Sequence, residues 1–103
     1  MSLNDHETQR HRLRRLRILQ VLQQNRPDPI GDGLLGRFVR DDTDLGFTQH
    51  NIRNSLDYLA ELDMVKITLR TEERWMAKIA VRGIDFLEGV GDKPQGVAHP
   101  EEF

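Results

Sequence analysis

The spacing of apolar residues changes abruptly at Met64, and that change constrains the fold more than any other feature of this 103-residue chain. Before it, Ile52, Leu56, Leu59 and the Leu62/Met64 pair recur at the three-to-four-residue interval of a helix with one buried side. After it, Val65, Ile67 and Leu69 alternate with Lys66, Thr68 and Arg70. Trp75, Ala77 and Ile79 then alternate with Met76, Lys78 and Ala80, so both stretches carry the period of two expected of strands. A helix from Thr48 to Leu62 therefore runs straight into a hairpin. Thr48 suits the N-cap, and Phe47 and Ile52 sit where a hydrophobic staple would form. Asp63 falls where the chain must leave the helix, and aspartate is among the few residues other than glycine that tolerate a left-handed conformation. The tip Arg70-Thr71-Glu72-Glu73-Arg74 has no glycine, which argues against a tight two-residue turn.

Upstream, Leu13, Leu16, Leu19 and Leu22 recur every three residues, widened by Ile18 and Val21, and predict a helix from about Asp5 to Gln24. Asn4 can cap it, with Glu7 reaching back in a capping box. Arg26-Pro27-Asp28-Pro29 ends it, because proline lacks a donor and restricts the residue before it. A shorter helix fits Asp32 to Arg40, with Leu34, Leu35, Phe38 and Val39 as its buried side. Gly31, Gly33 and Gly36 weaken it, each glycine inside a helix costing up to about 1 kcal/mol relative to alanine. Residues 41–46 read as a loop. A closing helix near Gly83 to Glu88 carries Ile84 and Leu87 inward. Residues 1–89 thus form one domain, and 90–103, rich in glycine, proline and charge, form an extended tail expected to lie against its own domain or a neighbouring chain.

Composition excludes several classes. No apolar run approaches the roughly 20 residues of a bilayer span. No basic start leads into an apolar stretch, so a cytoplasmic protein without membrane contact is expected. The absence of cysteine removes disulfides and thiolate metal sites. His6, His11, His50 and His99 show no metal-ligand spacing, and neither a phosphate loop nor a nucleophile elbow is present. An enzyme is not expected, nor a cofactor. The net charge of −2 conceals an asymmetry. Residues 1–40 carry eight Lys/Arg against four Asp/Glu, including Arg10, Arg12, Arg14, Arg15 and Arg17, while 41–103 carry seven against thirteen. A basic front half suits nucleic acid or an acidic partner, or is simply a solvated helix face.

The segment Asn54-Ser55-Leu56-Asp57-Tyr58-Leu59-Ala60-Glu61-Leu62-Asp63-Met64-Val65 resembles the end of the recognition helix in arsenical-repressor-type regulators. Val81-Arg82-Gly83-Ile84-Asp85 looks like the opening of that family's closing helix. From Leu13 to Gly89 the chain is also similar to the small repressor-like proteins of Mu-like prophages, including their short tail of glycine, valine and proline. The resemblance implies a mainly helical α+β fold, the winged helix-turn-helix: three helices, a two-stranded wing, a short closing helix and an extended C-terminal tail. It implies a DNA-binding transcriptional regulator acting as a homodimer through the first helix, the closing helix and the tail. Metal sensing is not implied, since the cysteines of the metal-sensing members are missing. Ala80 and Val81 also stand where a capping threonine is usual.

In such a reader the third helix enters the major groove of double-stranded DNA with its first turns toward the base edges. With Ile52 inward at about 100° per residue, His50, Asn54, Asp57 and Glu61 point the opposite way, flanked by Arg53 and Tyr58. Thr48, Gln49, His50, Arg53 and Asn54 are then the candidate contacts: arginine pairs with guanine, Asn or Gln with adenine, and histidine donates to phosphate. Arg37 and Arg40 suit the backbone from the second helix, and Arg70 and Arg74 from the wing, although Glu72 and Glu73 lie between the latter two. Trp75 reads as core or interface packing rather than a stacking platform for bases. The competing reading is a protein-interaction adaptor on the same fold, because Asp57 and Glu61 on the outward face repel phosphates.

Overall fold

The structure, a computed structural model, describes residues 3–39 and 48–102. It is a small α+β domain, and among the described residues it comprises four helices and one three-stranded antiparallel sheet. Helix α1 (Leu3–Gln24) buries Leu16, Ile18, Leu19 and Leu22, the predicted stripe. It begins two residues earlier than expected, so Asn4 lies inside it rather than at its cap; helix ends are the least firmly encoded part of such a pattern. At the other end Asn25 Nδ2 donates to Val21 O at 3.1 Å, satisfying one carbonyl of the last turn.

The two-residue strand β1 (Ile30–Gly31) pairs antiparallel with β3, Ile30 opposite Ala77 and Gly31 opposite Met76. Two residues carry no period, so sequence reasoning missed it. Helix α2 (Asp32–Val39) follows directly. Its buried residues are Asp32, Leu35 and Val39, whereas Leu34 and Phe38, expected inside, are 47% and 51% exposed. An eight-residue helix wedged against α1 and α3 has room for a single narrow stripe, and Leu35 and Val39 fill it one turn apart. The expected loop 41–46, Arg40 and the Phe47 half of the staple lie outside the described residues.

Helix α3 (Gln49–Glu61) follows the sequence reading closely. Thr48 Oγ1 accepts from Asn51 N at 3.1 Å, and Ile52, Leu56 and Leu59 are buried with Ser55. Its end is a Schellman motif: Met64 N donates to Leu59 O, and Asp63 N to Ala60 O. Asp63 occupies the left-handed position with φ 59°. Strand β2 (Val65–Arg70) pairs with β3 (Trp75–Ile79) in the order β1-β3-β2. An irregularity between Ile67 and Leu69 interrupts the alternation, which leaves Leu69 exposed although Val65 is buried. The tip is a four-residue loop closed by Thr71 N donating to Arg74 O and Arg74 N to Thr71 Oγ1, in keeping with its lack of glycine.

Helix α4 (Val81–Leu87) starts at Ala80 with no side-chain cap. Phe86 is its deep residue; Ile84 and Leu87, expected inward, are half-buried against the edge of the core. Gly83 explains the close docking, because a Cβ there would stand 2.3 Å from Met64 O. The tail folds back on its own domain. Val97, Ala98 and His99 are buried, Ala98 N donates to Arg12 O at 3.1 Å, and residues Pro100–Glu102 form a 3₁₀ turn. The leucine stripe of α1, the helix assigned above to a dimer surface, faces this chain's own core. Among the described residues no helix is long and apolar enough to cross a membrane. A Gly83→Ala variant must push back the Met64 carbonyl, and we expect it to lose about 1–3 kcal/mol. In urea unfolding the midpoint should fall with an unchanged slope; an unchanged midpoint would refute the close-docking account.

Candidate nucleic-acid interface

The outward face of α3 is set by a side chain that sequence reasoning did not single out. Asp32 opens α2 and is 3% exposed. Its Oδ1 accepts from Gly33 N at 3.0 Å and from Trp75 N at 3.2 Å, and its Oδ2 accepts from Arg53 Nε at 2.7 Å. One carboxylate thus ties together α2, α3 and β3. Burial alone would raise its pKa. The hydrogen bond from Arg53, the amide of Trp75 and the nearby guanidinium charge outweigh that and hold it below the usual carboxylate range. Asp32 has one local sign, an acid in the first turn of a predicted helix. Its partners lie 21 and 43 residues away, so nothing local could reveal the burial.

This anchor changes the role of Arg53. Its side chain is 18% exposed; beyond Asp32 it donates from Nη2 to Glu72 O at 3.0 Å, and its guanidinium lies 5.3 Å from the Trp75 ring. It braces the hairpin against α3 through Nε and Nη2. Arg70 forms an ion pair with Asp57 at the surface, and its guanidinium lies 4.5 Å over the Trp75 ring. Trp75 is half-buried and serves as a packing surface for two cations rather than as deep core.

The remaining candidates are more open. Thr48 is exposed, with its hydroxyl used as the cap. Gln49, His50 and Asn54 are exposed on the first two turns of α3. Asn54 Nδ2 and His50 Nε2 lie 3.0 Å apart, within hydrogen-bonding distance. Arg37 is exposed on α2 and Arg74 at the hairpin tip, beside exposed Glu72 and Glu73. A shallow groove of about 460 Å³ runs between these parts, lined by Pro29, Leu34, Gln49, Glu73, Arg74 and Met76 among others. Gln49 and Arg74 thus share one groove, His50 and Asn54 stand exposed on the first two turns of α3, and Arg53 is held by Asp32. Among the described residues no group of three His, Asp or Glu side chains could hold a metal ion.

Compared with known proteins, the chain matches no family model, no curated protein and no solved structure.

Removing the Asp32 charge leaves Arg53 poorly paired in a largely dry setting. Asp32→Asn is expected to destabilise the fold by about 2–4 kcal/mol in denaturant unfolding. The sign with pH follows from a depressed folded pKa. The contribution of Asp32 is complete above its unfolded value of about 3.9 and is lost as pH falls through its lowered folded value. Wild type should thus lose stability below about pH 4 more steeply than Asp32→Asn; parallel curves would rule out the paired carboxylate.

Proposed function

We propose that this chain is a DNA-binding transcriptional regulator of prophage or bacterial type, a winged helix-turn-helix protein working as a cytoplasmic homodimer. One observation carries the reading. The first two turns of α3 are firmly capped and anchored through Ile52 and Leu56, while Gln49, His50 and Asn54 stand exposed on the same turns. A rigid rod offering amide and imidazole groups beside a two-stranded hairpin suits insertion of one helix into the major groove. On this reading Gln49 and Asn54 address base edges, and His50, Arg37 and Arg74 address phosphates. Arg53 and Arg70 position the hairpin from within. A dimer doubles a site that one short helix reads only in part. With the α1 stripe buried, its contact falls to the outer sides of α1, α4 and the tail.

A second reading, the protein-interaction adaptor, is favoured by a different observation. The two cations nearest the outward face are already paired with Asp32 and Asp57, leaving Glu61, Glu72 and Glu73 exposed around it. Leu34 and Phe38, exposed one turn apart on α2, add an apolar surface that DNA does not need. Random-sequence duplex DNA separates the two readings. A DNA reader binds at low salt, loses affinity log-linearly as salt rises, and selects a preferred sequence. Gln49→Ala with Asn54→Ala should keep low-salt binding and lose that preference, each lost base contact being worth about 1–3 kcal/mol of discrimination. An absence of low-salt binding by the wild-type dimer overturns the DNA reading in favour of the adaptor.

A further inference from the structure

The C-terminal tail takes up arginines of the basic first helix with groups that resemble a phosphate's oxygens. Arg12 donates from Nε to Gln95 O at 2.6 Å and from Nη2 to Glu102 Oε1 at 2.8 Å. Arg15 donates from Nη1 to Gly96 O at 2.8 Å, and its guanidinium lies 3.6 Å over the Tyr58 ring. Gly96 packs so tightly under Tyr58 that a Cβ would overlap the phenol oxygen. Tyr58 is one helical turn after Asn54 on α3, so this cluster borders the outward face on the side away from the hairpin. The Arg12 bond holds the Glu102 carboxyl below its usual range.

The two ends of the tail are held unequally. Val97, Ala98 and His99 are buried in the domain and anchored by the Ala98 N–H to Arg12 O bond. Glu102 by contrast is 41% exposed and holds Arg12, itself 17% exposed, through one ion pair whose open carboxylate limits its strength. A phosphate diester offers the same charged oxygen acceptor to the Nη2 that Glu102 uses, while Nε and Nη1 of Arg12 stay on Gln95 O and Gln9 Oε1. We propose that the last turn of the tail is an internal competitor for anionic partners: Glu102 occupies Arg12, and a phosphate-bearing polyanion displaces it to gain a backbone contact beside α3. The identification of that polyanion with DNA rests on the proposed function; the competition itself does not.

The test uses the full chain and two carboxylate variants of equal charge. Glu101 is 76% exposed, near Lys93 and His99 at 4.0 and 3.8 Å, and does not touch Arg12, so Glu101→Gln is the control for Glu102→Gln. Glu102→Gln should elute from heparin at higher salt than Glu101→Gln, and adding Arg12→Ala should abolish the difference. On random-sequence duplex, Glu102→Gln should steepen the dependence of log affinity on log salt by close to one phosphate contact, a slope change of about 0.9. Identical heparin elution of the two carboxylate variants overturns the proposal, and that comparison decides even if the Arg12→Ala protein fails to fold. A heparin difference with no duplex binding by any form upholds the competition and overturns the DNA reading.

Discussion

The arrangement of this domain depends on one buried carboxylate. Asp32 is the point at which α2, α3 and the hairpin meet, and it satisfies a backbone amide from α2, a backbone amide from β3 and a guanidinium from α3 at once. Helix α2 holds only eight residues, two of them glycine after its first position, and its intrinsic tendency to form is poor. Its position comes from Leu35 and Val39 on one side and from Asp32 at its start. Because Arg53 answers Asp32 and also reaches Glu72 O, the hairpin cannot swing relative to α3 without breaking a desolvated pair. The geometry of the outward face is therefore inherited from a residue that does not lie on it.

That dependence redistributes the positive charge. The sequence carries its excess of arginine in the first forty residues, yet the folded chain turns several of those cations inward or onto itself. Arg14 is almost wholly buried, and Arg12 and Arg15 hold the tail. Arg53 is held by the buried Asp32, and Arg70 pairs with Asp57 at the surface. What is left facing outward on α3 is two amides and an imidazole on the first two turns, followed by the acids Asp57 and Glu61. Under the DNA reading proposed above, such a face selects by hydrogen bonding more than by bulk attraction.

The parts of the fold legible in the sequence are those governed by local periodicity and local sterics. The helix from Thr48, its left-handed exit at Asp63, the two alternating strands and the absence of a tight turn all follow from neighbours within a few positions. Where tertiary contacts decide, local patterns mislead. Leu34 and Phe38 share the apolar character of Leu35 and Val39 but lie on the other side of a helix too short to bury both rows. Phe86 displaces Ile84 and Leu87 as the deep residue of α4 because Gly83 lets that helix sit directly on Met64. The tail joins the core through Val97 and Ala98, a pair with no periodicity around it. Of the candidate site, His50 and Asn54 were readable as outward residues. The diversion of Arg53 was not, since it depends on a carboxylate 21 positions earlier.

The central claim, that Asp32 and Arg53 form the brace on which the α3 face depends, is tested most directly by a double-mutant cycle. Unfolding free energies of wild type, Asp32→Asn, Arg53→Gln and the double variant give the interaction of the two side chains free of their separate contributions. The account predicts a coupling of at least about 1 kcal/mol, with the double variant no less stable than Asp32→Asn alone. Effects that simply add, to within about 0.5 kcal/mol, would contradict it.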